Sequence, residues 1–300
     1  MGVPVISFST FDTGQAALNV ATAGRPDAPP IICLHGFPEY WAAWREVMED
    51  LARDFFVIVP DQRGYNISTK LPNVSDYRGR FLANDIAALA RHYSPGRPLA
   101  LAGHDWGASV AYAVAFLHSE LLSHLIIANG VHPVCFQRAI FDDPEQRVAS
   151  QYINRLRDPE MDARMLEDGC RRTFRMIEGF SPAPWLAGET REGYRAAWSQ
   201  PGAMNAMLNW YRASPVIVPE IDEPVPPSPI LNAEIETFRV RCPHLVIWGE
   251  ADVALQPSCL DGLEQFASDL TIEKIDGCTH WILHERPAQV AGLIRGFVST

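Results

Sequence analysis

The sequence predicts an α/β fold, with a mostly parallel central sheet, helices on both faces and an inserted helical lid. In the first half of the chain, and again near its end, short apolar runs alternate with amphipathic stretches. This pattern is typical of buried strands that alternate with helices. From about residue 133 to residue 238, helical patterns occur without a convincing strand. We therefore predict a core over 1–133 and 238–300 and a helical lid over 134–237.

Six segments of the core are predicted strands, and four are predicted helices. The strand segments are short and rich in β-branched or aromatic residues, whereas the helical segments carry apolar residues at spacings of three and four. The stretch 214–229 contains six prolines, which favour extended chain and end the predicted lid. The predicted strands are 30–34, 55–60, 99–102, 125–129, 244–248 and 270–275, and the predicted helices are 44–53, 80–93, 108–120 and 286–298.

The composition of the 300 residues, 47% hydrophobic and 20% charged, is that of a globular protein with a large core. A formal net charge of -11 repels nucleic acids and anionic membranes, so we expect a small-molecule substrate. No basic residue precedes Arg25, and no apolar run approaches the roughly 20 residues of a membrane span. We therefore expect a cytoplasmic protein. Its six cysteines lack Cys-x-x-Cys spacing, which predicts free thiols and no metal site or redox pair.

The most informative motif is Gly-His-Asp-Trp-Gly at 103–107. It follows a predicted strand and precedes a predicted helix, which is the layout of a nucleophile elbow, a tight turn that raises its middle side chain above the sheet. The middle residue is Asp105, and a carboxylate can displace a leaving group at an sp³ carbon, giving an ester that water then cleaves. The alternative is that Asp105 only caps the next helix. The motif favours an aspartate nucleophile on an α/β-hydrolase fold.

Hydrolysis of such an ester needs a base and a group that orients the base. Asp252 and His280 follow the last two predicted strands, and the order nucleophile, acid, histidine is the order of this fold. Because open α/β sheets place their sites at the carboxyl ends of strands, we expect both residues beside Asp105. Each residue alone could be an ordinary loop residue. Glu250 and His284 are weaker candidates, because Glu250 lies nearer the strand end and His284 falls in an apolar segment.

The loop His-Gly-Phe-Pro-Glu at 35–39 follows the first predicted core strand. In this fold that loop supplies one amide of the oxyanion hole, and the residue after the nucleophile supplies the other. We therefore predict that the backbone N–H groups of Phe37 and Trp106 form this hole. Two alternatives stay open for Glu39: it helps to place the hydrolytic water, or it is an exposed loop residue with no role.

Two tyrosines of the predicted lid, Tyr152 and Tyr211, bear on the identity of the leaving group. When an epoxide opens, negative charge builds on its oxygen, and two converging phenol groups could stabilise and protonate that oxygen as general acids. The alternative is that both tyrosines only pack within an aromatic lid. These two residues by themselves leave both interpretations open.

Taken together, the motifs make the chain similar to the soluble α/β-hydrolase-fold epoxide hydrolases, especially the bacterial members of that group. The resemblance spans nearly the whole chain. In the lid, Tyr152 stands seven residues before Pro159 and Tyr211 lies in Leu-Asn-Trp-Tyr-Arg, and both positions match the epoxide-activating tyrosines of the family. The other matching segments are His-Gly-Phe-Pro-Glu at 35–39, Asp-Gln-Arg-Gly-Tyr-Asn at 61–66, Gly-His-Asp-Trp-Gly at 103–107 and Asn-Gly-Val-His-Pro at 129–133.

The resemblance implies that Asp105 opens an epoxide to a vicinal diol through a hydroxyalkyl ester, which water activated by His280 and Asp252 then hydrolyses. It implies no metal and no organic cofactor. The surface of the lid could serve either as a homodimer interface or as a solvent-exposed face, so the oligomeric state is left open. The resemblance also implies a substrate pocket that includes His35, Pro38, Glu39 and His132.

Haloalkane and haloacid dehalogenases are the main alternative, because they share the aspartate, the histidine and the ester intermediate. Haloalkane dehalogenases typically carry a halide-binding Asn in the loop that here reads His-Gly-Phe-Pro, and fluoroacetate dehalogenases place Arg where this chain has Trp106. Both departures favour the epoxide, although an indole N–H beside the nucleophile is also how haloalkane dehalogenases hold halide. A binding protein without catalysis would typically have lost part of the catalytic set, and all three predicted residues are present.

Overall fold

One eight-stranded sheet forms the centre of the protein in a computed structural model that describes residues 4–299. The strands are β1 Ser7–Asp12, β2 Ala17–Ala23, β3 Pro30–Leu34, β4 Phe56–Pro60, β5 Leu99–His104, β6 Leu122–Ala128, β7 His244–Gly249 and β8 Leu270–Ile275. Their order is β1-β2-β4-β3-β5-β6-β7-β8, and the strands from β4 to β8 in this order run parallel. The predicted α/β sheet is therefore confirmed. The first three and the last residue of the predicted core lie outside the described residues.

All six predicted strands are present, and two more precede them. β1 and β2 pair antiparallel, and β2 pairs antiparallel with β4, so this hairpin extends one edge of the sheet. The prediction missed it because β1 is short and rich in Ser and Thr, and all but one of its residues are exposed. At the centre, β5 is buried over its whole length, as expected for a parallel strand covered on both faces. β6 begins three residues before its predicted start.

Two layers of helices cover the sheet. Alternate residues of a strand point to opposite faces, and in β3 the side chains of Ile31 and Ile32 belong to two different core clusters. The core helices are α1 Arg45–Leu51, α2 Gly79–Tyr93, α3 Trp106–Leu117, α10 Ile282–Glu285 and α11 Pro287–Val298. One cluster includes α1 and α11, and the other includes α2, α3 and much of the segment between β6 and β7. Short 3-10 helices cover Trp41–Trp44, Val74–Tyr77, Ser119–Leu121, Ile235–Phe238, Pro257–Leu260 and Leu263–Gln265.

The segment 134–237, called here the helical insertion, connects β6 to β7. Its proline-rich end is extended, and side chains of earlier helices satisfy the backbone there: Gln137 bonds both the N–H and the C=O of Ile217, and Asn154 donates to the C=O of Val218. The longest helix is interrupted at 167–170, where three consecutive residues have positive φ. The helices are α4 Pro133–Asp142, α5 Pro144–Ala149, α6 Gln151–Arg157, α7 Met161–Phe180, α8 Gly188–Trp198 and α9 Ala203–Ala213.

All six cysteines carry free thiols, five of them buried and Cys242 partly exposed. Over residues 4–299, none of the helices has both the length and the apolar character needed to span a membrane.

Two glycines fix how closely the elements around 103–107 can pack. A methyl group on Gly107, in the first turn of α3, would lie 2.2 Å from the backbone oxygen of Leu34. One on Gly103, in β5, would lie 2.4 Å from the backbone oxygen of Gly107. Both distances are shorter than any non-bonded contact between carbon and oxygen. With a larger residue at position 103 or 107, β3, β5 and α3 could therefore not keep this spacing.

Replacing Gly107 by Ala should therefore destabilise the fold by about 1–3 kcal/mol, because the backbone of β3 must move. Gly292→Ala is the matched control: Gly292 is exposed in α11, and no atom lies within 4 Å of the added methyl group. This control should gain up to about 1 kcal/mol, since alanine is the better helix former. Urea unfolding followed by circular dichroism measures both changes. Equal stability of the two variants would contradict the packing argument.

Candidate active site

Asp105 lies at the sharp turn between β5 and α3. Its backbone has φ 52° and ψ -119°, a conformation that a residue with a side chain rarely adopts. The loop 35–39 approaches the turn so closely that a methyl group on Gly36 would lie 2.4 Å from the Asp105 side chain. Although Asp105 precedes α3, its side chain makes no capping hydrogen bond to that helix. The carboxylate is thus available at the carboxyl end of the sheet, where this fold places its chemistry.

Each oxygen of the Asp105 carboxylate has a different neighbour. Oδ1 accepts a hydrogen bond of 2.7 Å from the backbone N–H of Phe37. Oδ2 lies 3.6 Å from Nε2 of His280. The second predicted amide, that of Trp106, begins α3, and the indole ring of Trp106 packs edge-on against Tyr211 with 5.0 Å between the ring centres. One oxygen is therefore held by the loop 35–39, and the other faces a possible base.

His280 and Asp252 form a buried pair behind Asp105. Nδ1 of His280 lies 2.7 Å from Oδ2 of Asp252, and the same oxygen accepts a 2.7 Å hydrogen bond from the side chain of Asn129. The other oxygen of Asp252 accepts from the backbone N–H groups of Ala254 and Leu255. A carboxylate with four donors is fixed in position and in its charged form. The structure thus brings together the three residues predicted from separate strand ends.

The charge of His280 depends on both carboxylates. Burial by itself lowers the pKa of a histidine, but the negative charges of Asp252 and Asp105 more than offset it, so the pKa of His280 lies well above its usual value. Burial raises the pKa of Asp252, yet the charge and the hydrogen bonds of its neighbours outweigh burial and lower it. The two carboxylates therefore favour the protonated form of the imidazole in the resting site.

Glu39 is fully buried, and three residues surround its carboxylate. One oxygen accepts from Tyr194 OH at 2.9 Å and lies 2.7 Å from Nε2 of His284, and the other lies 3.1 Å from Nδ1 of His104. Nε2 of His104 bonds the backbone oxygen of His280 at 2.8 Å. Burial would raise the pKa of Glu39, but these hydrogen bonds outweigh it and hold the pKa well below its usual range. Glu39 is thus not the exposed loop residue that one alternative described.

The other predicted pocket residues lie around the site in different ways. His35 is buried and accepts from the backbone N–H of Gln62 through Nε2, and burial lowers the pKa of His35 to about 4. A neutral His35 therefore anchors the loop 35–39. Pro38 accepts a hydrogen bond from the indole of Trp198. None of the four predicted pocket residues His35, Pro38, Glu39 and His132 is among the residues that line the cavity. His132 stacks on Phe266 with 4.3 Å between ring centres, while its neighbours Val131 and Pro133 line the cavity wall.

A cavity of about 350 Å³ lies between Asp105 and the helical insertion, a size suited to a small organic ligand. Tyr152 and Tyr211 line it together with Asp105, and the two phenol rings lie 6.2 Å apart. Burial, followed by the charge of Asp105, raises the pKa of Tyr152 well above its usual value, and burial likewise raises the pKa of Tyr211. Both phenols therefore stay protonated and can donate. Much of the remaining wall is apolar, formed by residues such as Val110, Phe136, Val216, Ile230 and Phe238.

Three residues of the site were not predicted, namely Asn129, His104 and Tyr194. Asn129 follows β6 and has positive φ. Its Oδ1 accepts a hydrogen bond from the N–H of Gly249, and its Nδ2 donates one to Asp252. A polar residue at a strand end was the available signal. His104 belonged to the recognised motif, whereas nothing in the sequence distinguished Tyr194 from the other aromatic residues of the insertion.

The two weaker candidates occupy other positions. His284 bonds Glu39 and stacks on Trp185 with 3.7 Å between ring centres. Glu250 is exposed and lies 3.7 Å from the amino group of Lys274. Among residues 4–299, no three His, Cys, Asp or Glu side chains are grouped as they would be around a metal ion.

Comparisons with known proteins assign this arrangement to a family. Residues 29–152 match the family model described as alpha/beta hydrolase fold. The chain is 35% identical to the AB hydrolase superfamily protein YfhM of Bacillus subtilis, over 94% of this chain and 94% of that protein. It is 30% identical to Epoxide hydrolase 2 of Caenorhabditis elegans, over 92% of this chain and 75% of that protein.

The chain also superposes on a solved structure described as one of the novel epoxide hydrolases found in metagenomes from hot environments. The TM-score is 0.87 at 36% identity, and the superposition covers 98% of this chain and 99% of that one. These similarities define the class of protein as an α/β hydrolase and confirm the predicted fold. Within that class, the chain belongs to the epoxide hydrolase family, as the resemblance implied.

The effect of the Asp105 charge on the pKa of His280 can be tested directly. Asp105→Asn removes one of the two negative charges, so the pKa of the His280 imidazole should fall by about 1–3 units. An NMR titration of the histidine ring nitrogens measures this change. Asp142→Asn, which removes an exposed carboxylate, is the control and should leave the His280 titration unchanged. An equal pKa in wild type and Asp105→Asn would contradict the argument.

Proposed function

We propose that the protein is an epoxide hydrolase that opens an epoxide to a vicinal diol through a covalent ester on Asp105. The observation that carries this proposal is the shared cavity: a carboxylate held by an amide and faced by a histidine stands opposite two protonated phenols. Membership of the epoxide hydrolase family supports it. The substrate is a small-molecule epoxide, and no step needs a metal or an organic cofactor.

In the first step, Oδ2 of Asp105 attacks an epoxide carbon, and the bond from that carbon to the ring oxygen breaks. Oδ1 stays on the Phe37 amide, so Oδ2 is the oxygen free to attack. One of the two phenols, Tyr152 or Tyr211, gives its proton to the ring oxygen, and the other donates a hydrogen bond to it. No free alkoxide therefore forms. The product is a hydroxyalkyl ester.

In the second step, His280 takes a proton from water, and the water oxygen attacks the Asp105 carboxyl carbon. Formation of the ester has already removed the Asp105 charge that raises the pKa of His280, so the imidazolium gives up its proton, which returns to the phenolate left by the first step. The neutral imidazole can then act as a base. The oxyanion develops on Oδ1, which the Phe37 amide and, as we propose, the Trp106 amide stabilise. The intermediate then expels Oδ2 as the alkoxide of the diol, which takes the proton from His280. The Asp105 carboxyl group gives its own proton back to His280, and the starting carboxylate and imidazolium are restored.

Further predicted features form part of this proposal. The helical insertion acts as the lid that brings the tyrosines over Asp105, with boundaries at 134–237. Glu39 holds His104, and His104 bonds the backbone oxygen of His280. Glu39 therefore contributes to water activation by keeping His280 in position. The cytoplasmic location and the homodimer remain predictions.

A variant that stops after the first step tests the ester directly. His280→Gln should still be alkylated but should hydrolyse the ester roughly a thousandfold more slowly, since the base is missing. Mass spectrometry of the variant after incubation with styrene oxide should show one added substrate mass, located on the peptide that contains Asp105. The double variant with Asp105→Asn is the control and should stay unmodified. An unmodified His280→Gln protein, or an adduct elsewhere, would rule out the proposed ester.

The phenols should act in the first step alone. Tyr152→Phe and Tyr211→Phe should each slow ester formation by roughly a hundredfold, because a proton donor to the epoxide oxygen is lost, while ester hydrolysis changes little. Rapid-quench kinetics with styrene oxide separates the two steps. Tyr93→Phe, outside the cavity, is the control. Unchanged ester formation in both variants would show that the tyrosines only pack, and halide release from haloalkanes would then favour a dehalogenase.

A further inference from the structure

A second cavity, also of about 350 Å³, lies within the helical insertion. It is formed by α6 and by both parts of the interrupted helix α7. We call it the arginine cavity, because five guanidinium groups line it. They belong to Arg155, Arg164, Arg171, Arg172 and Arg175.

The positive charge of this cavity is only partly neutralised. Arg164 pairs with Glu160, and Arg171 pairs with Asp168 at 2.6 Å. The other three guanidinium groups, those of Arg155, Arg172 and Arg175, make no ion pair or hydrogen bond to any part of residues 4–299. Glu167 is a further carboxylate in the wall.

Unpaired cations concentrated in one concave surface contrast with a chain whose formal net charge is -11. A concave site lined by one sign of charge attracts ligands of the opposite sign. Arginine in particular binds carboxylates through two parallel hydrogen bonds. The arginine cavity therefore has the chemistry of an anion-binding site.

The arginine cavity adjoins the candidate active site. Tyr152 lines both the arginine cavity and the cavity that contains Asp105. Met165 and Met176 also line the arginine cavity, and their unbranched side chains adapt to different shapes. A substrate that reaches from one cavity into the other must pass beside Tyr152.

We propose that the arginine cavity binds an anionic end of the substrate, so that the preferred epoxides carry a carboxylate a short distance from the oxirane ring. The length follows from Tyr152, because its phenol contacts the epoxide oxygen in the proposed mechanism and the same side chain lines the arginine cavity. A carboxylate about one tyrosine side chain away from the epoxide reaches the arginines. This inference rests on the proposed function, since it assumes that the epoxide lies between Asp105 and Tyr152.

The test compares two epoxides of equal size, para-glycidyloxybenzoate and the neutral para-glycidyloxybenzamide. In wild type, kcat/KM should be higher for the benzoate, mainly through a lower KM. In the triple variant Arg155→Gln, Arg172→Gln, Arg175→Gln, the ratio of kcat/KM between benzoate and benzamide should fall about tenfold or more, since each exposed ion pair contributes a factor of roughly three. Salt should lower the wild-type ratio as well.

Arg97→Gln is the matched control, because Arg97 is exposed and its side chain pairs with no other group in the part of the chain that the structure describes. It should keep the wild-type ratio. An equal ratio in wild type and the triple variant would overturn the proposal.

A binding measurement separates this proposal from the proposed function. The diol of the benzoate serves as the probe, and calorimetry measures its affinity for wild type and for the triple variant. If wild type opens neither epoxide, the proposed function fails, but about tenfold weaker diol binding by the triple variant would still support the arginine cavity. Equal binding would overturn the arginine cavity, whatever the turnover.

Discussion

The imidazole of His280 lies between two carboxylates, and the proposed chemistry depends on the charge of one of them. While Asp105 is ionised, it favours the protonated imidazole; once Asp105 is an ester, only Asp252 remains. The same side chain can therefore be an ion-pair partner before alkylation and a base after it. Because Asn129 and two backbone amides fix Asp252, the imidazole keeps its orientation while its charge changes.

The helical insertion and the loop 35–39 depend on each other. Tyr194 of α8 bonds Glu39, and the indole of Trp198 bonds the backbone of Pro38, so two residues of one helix hold the loop that presents the Phe37 amide. From the core side, neutral His35 anchors the same loop to the backbone of Gln62. A movement of the insertion would therefore shift both the phenols and the amide that contacts Asp105.

Much of the sheet and the centre of the site could be predicted from the sequence. Buried parallel strands are continuous apolar runs, and Asp105 and Asp252 each follow one. His280 follows the edge strand β8, which ends at the same edge of the sheet, so the fold itself brings the three residues together. The partners of Glu39 could not be predicted, because Tyr194 reaches it only through the packing of the insertion, which no local pattern encodes. His132 was expected in the pocket, but its ring turns toward Phe266 and a backbone oxygen.

In the proposed mechanism, an oxygen of Asp105 becomes an oxygen of the diol. The most direct measurement is a single turnover of styrene oxide in ¹⁸O-labelled water with the enzyme in excess. We expect an unlabelled diol, and ¹⁸O in the peptide that contains Asp105, because water attacks the carboxyl carbon and Oδ2 leaves with the diol. A diol labelled in the first turnover, with no label in that peptide, would mean that water attacks the epoxide directly and would exclude the ester on Asp105.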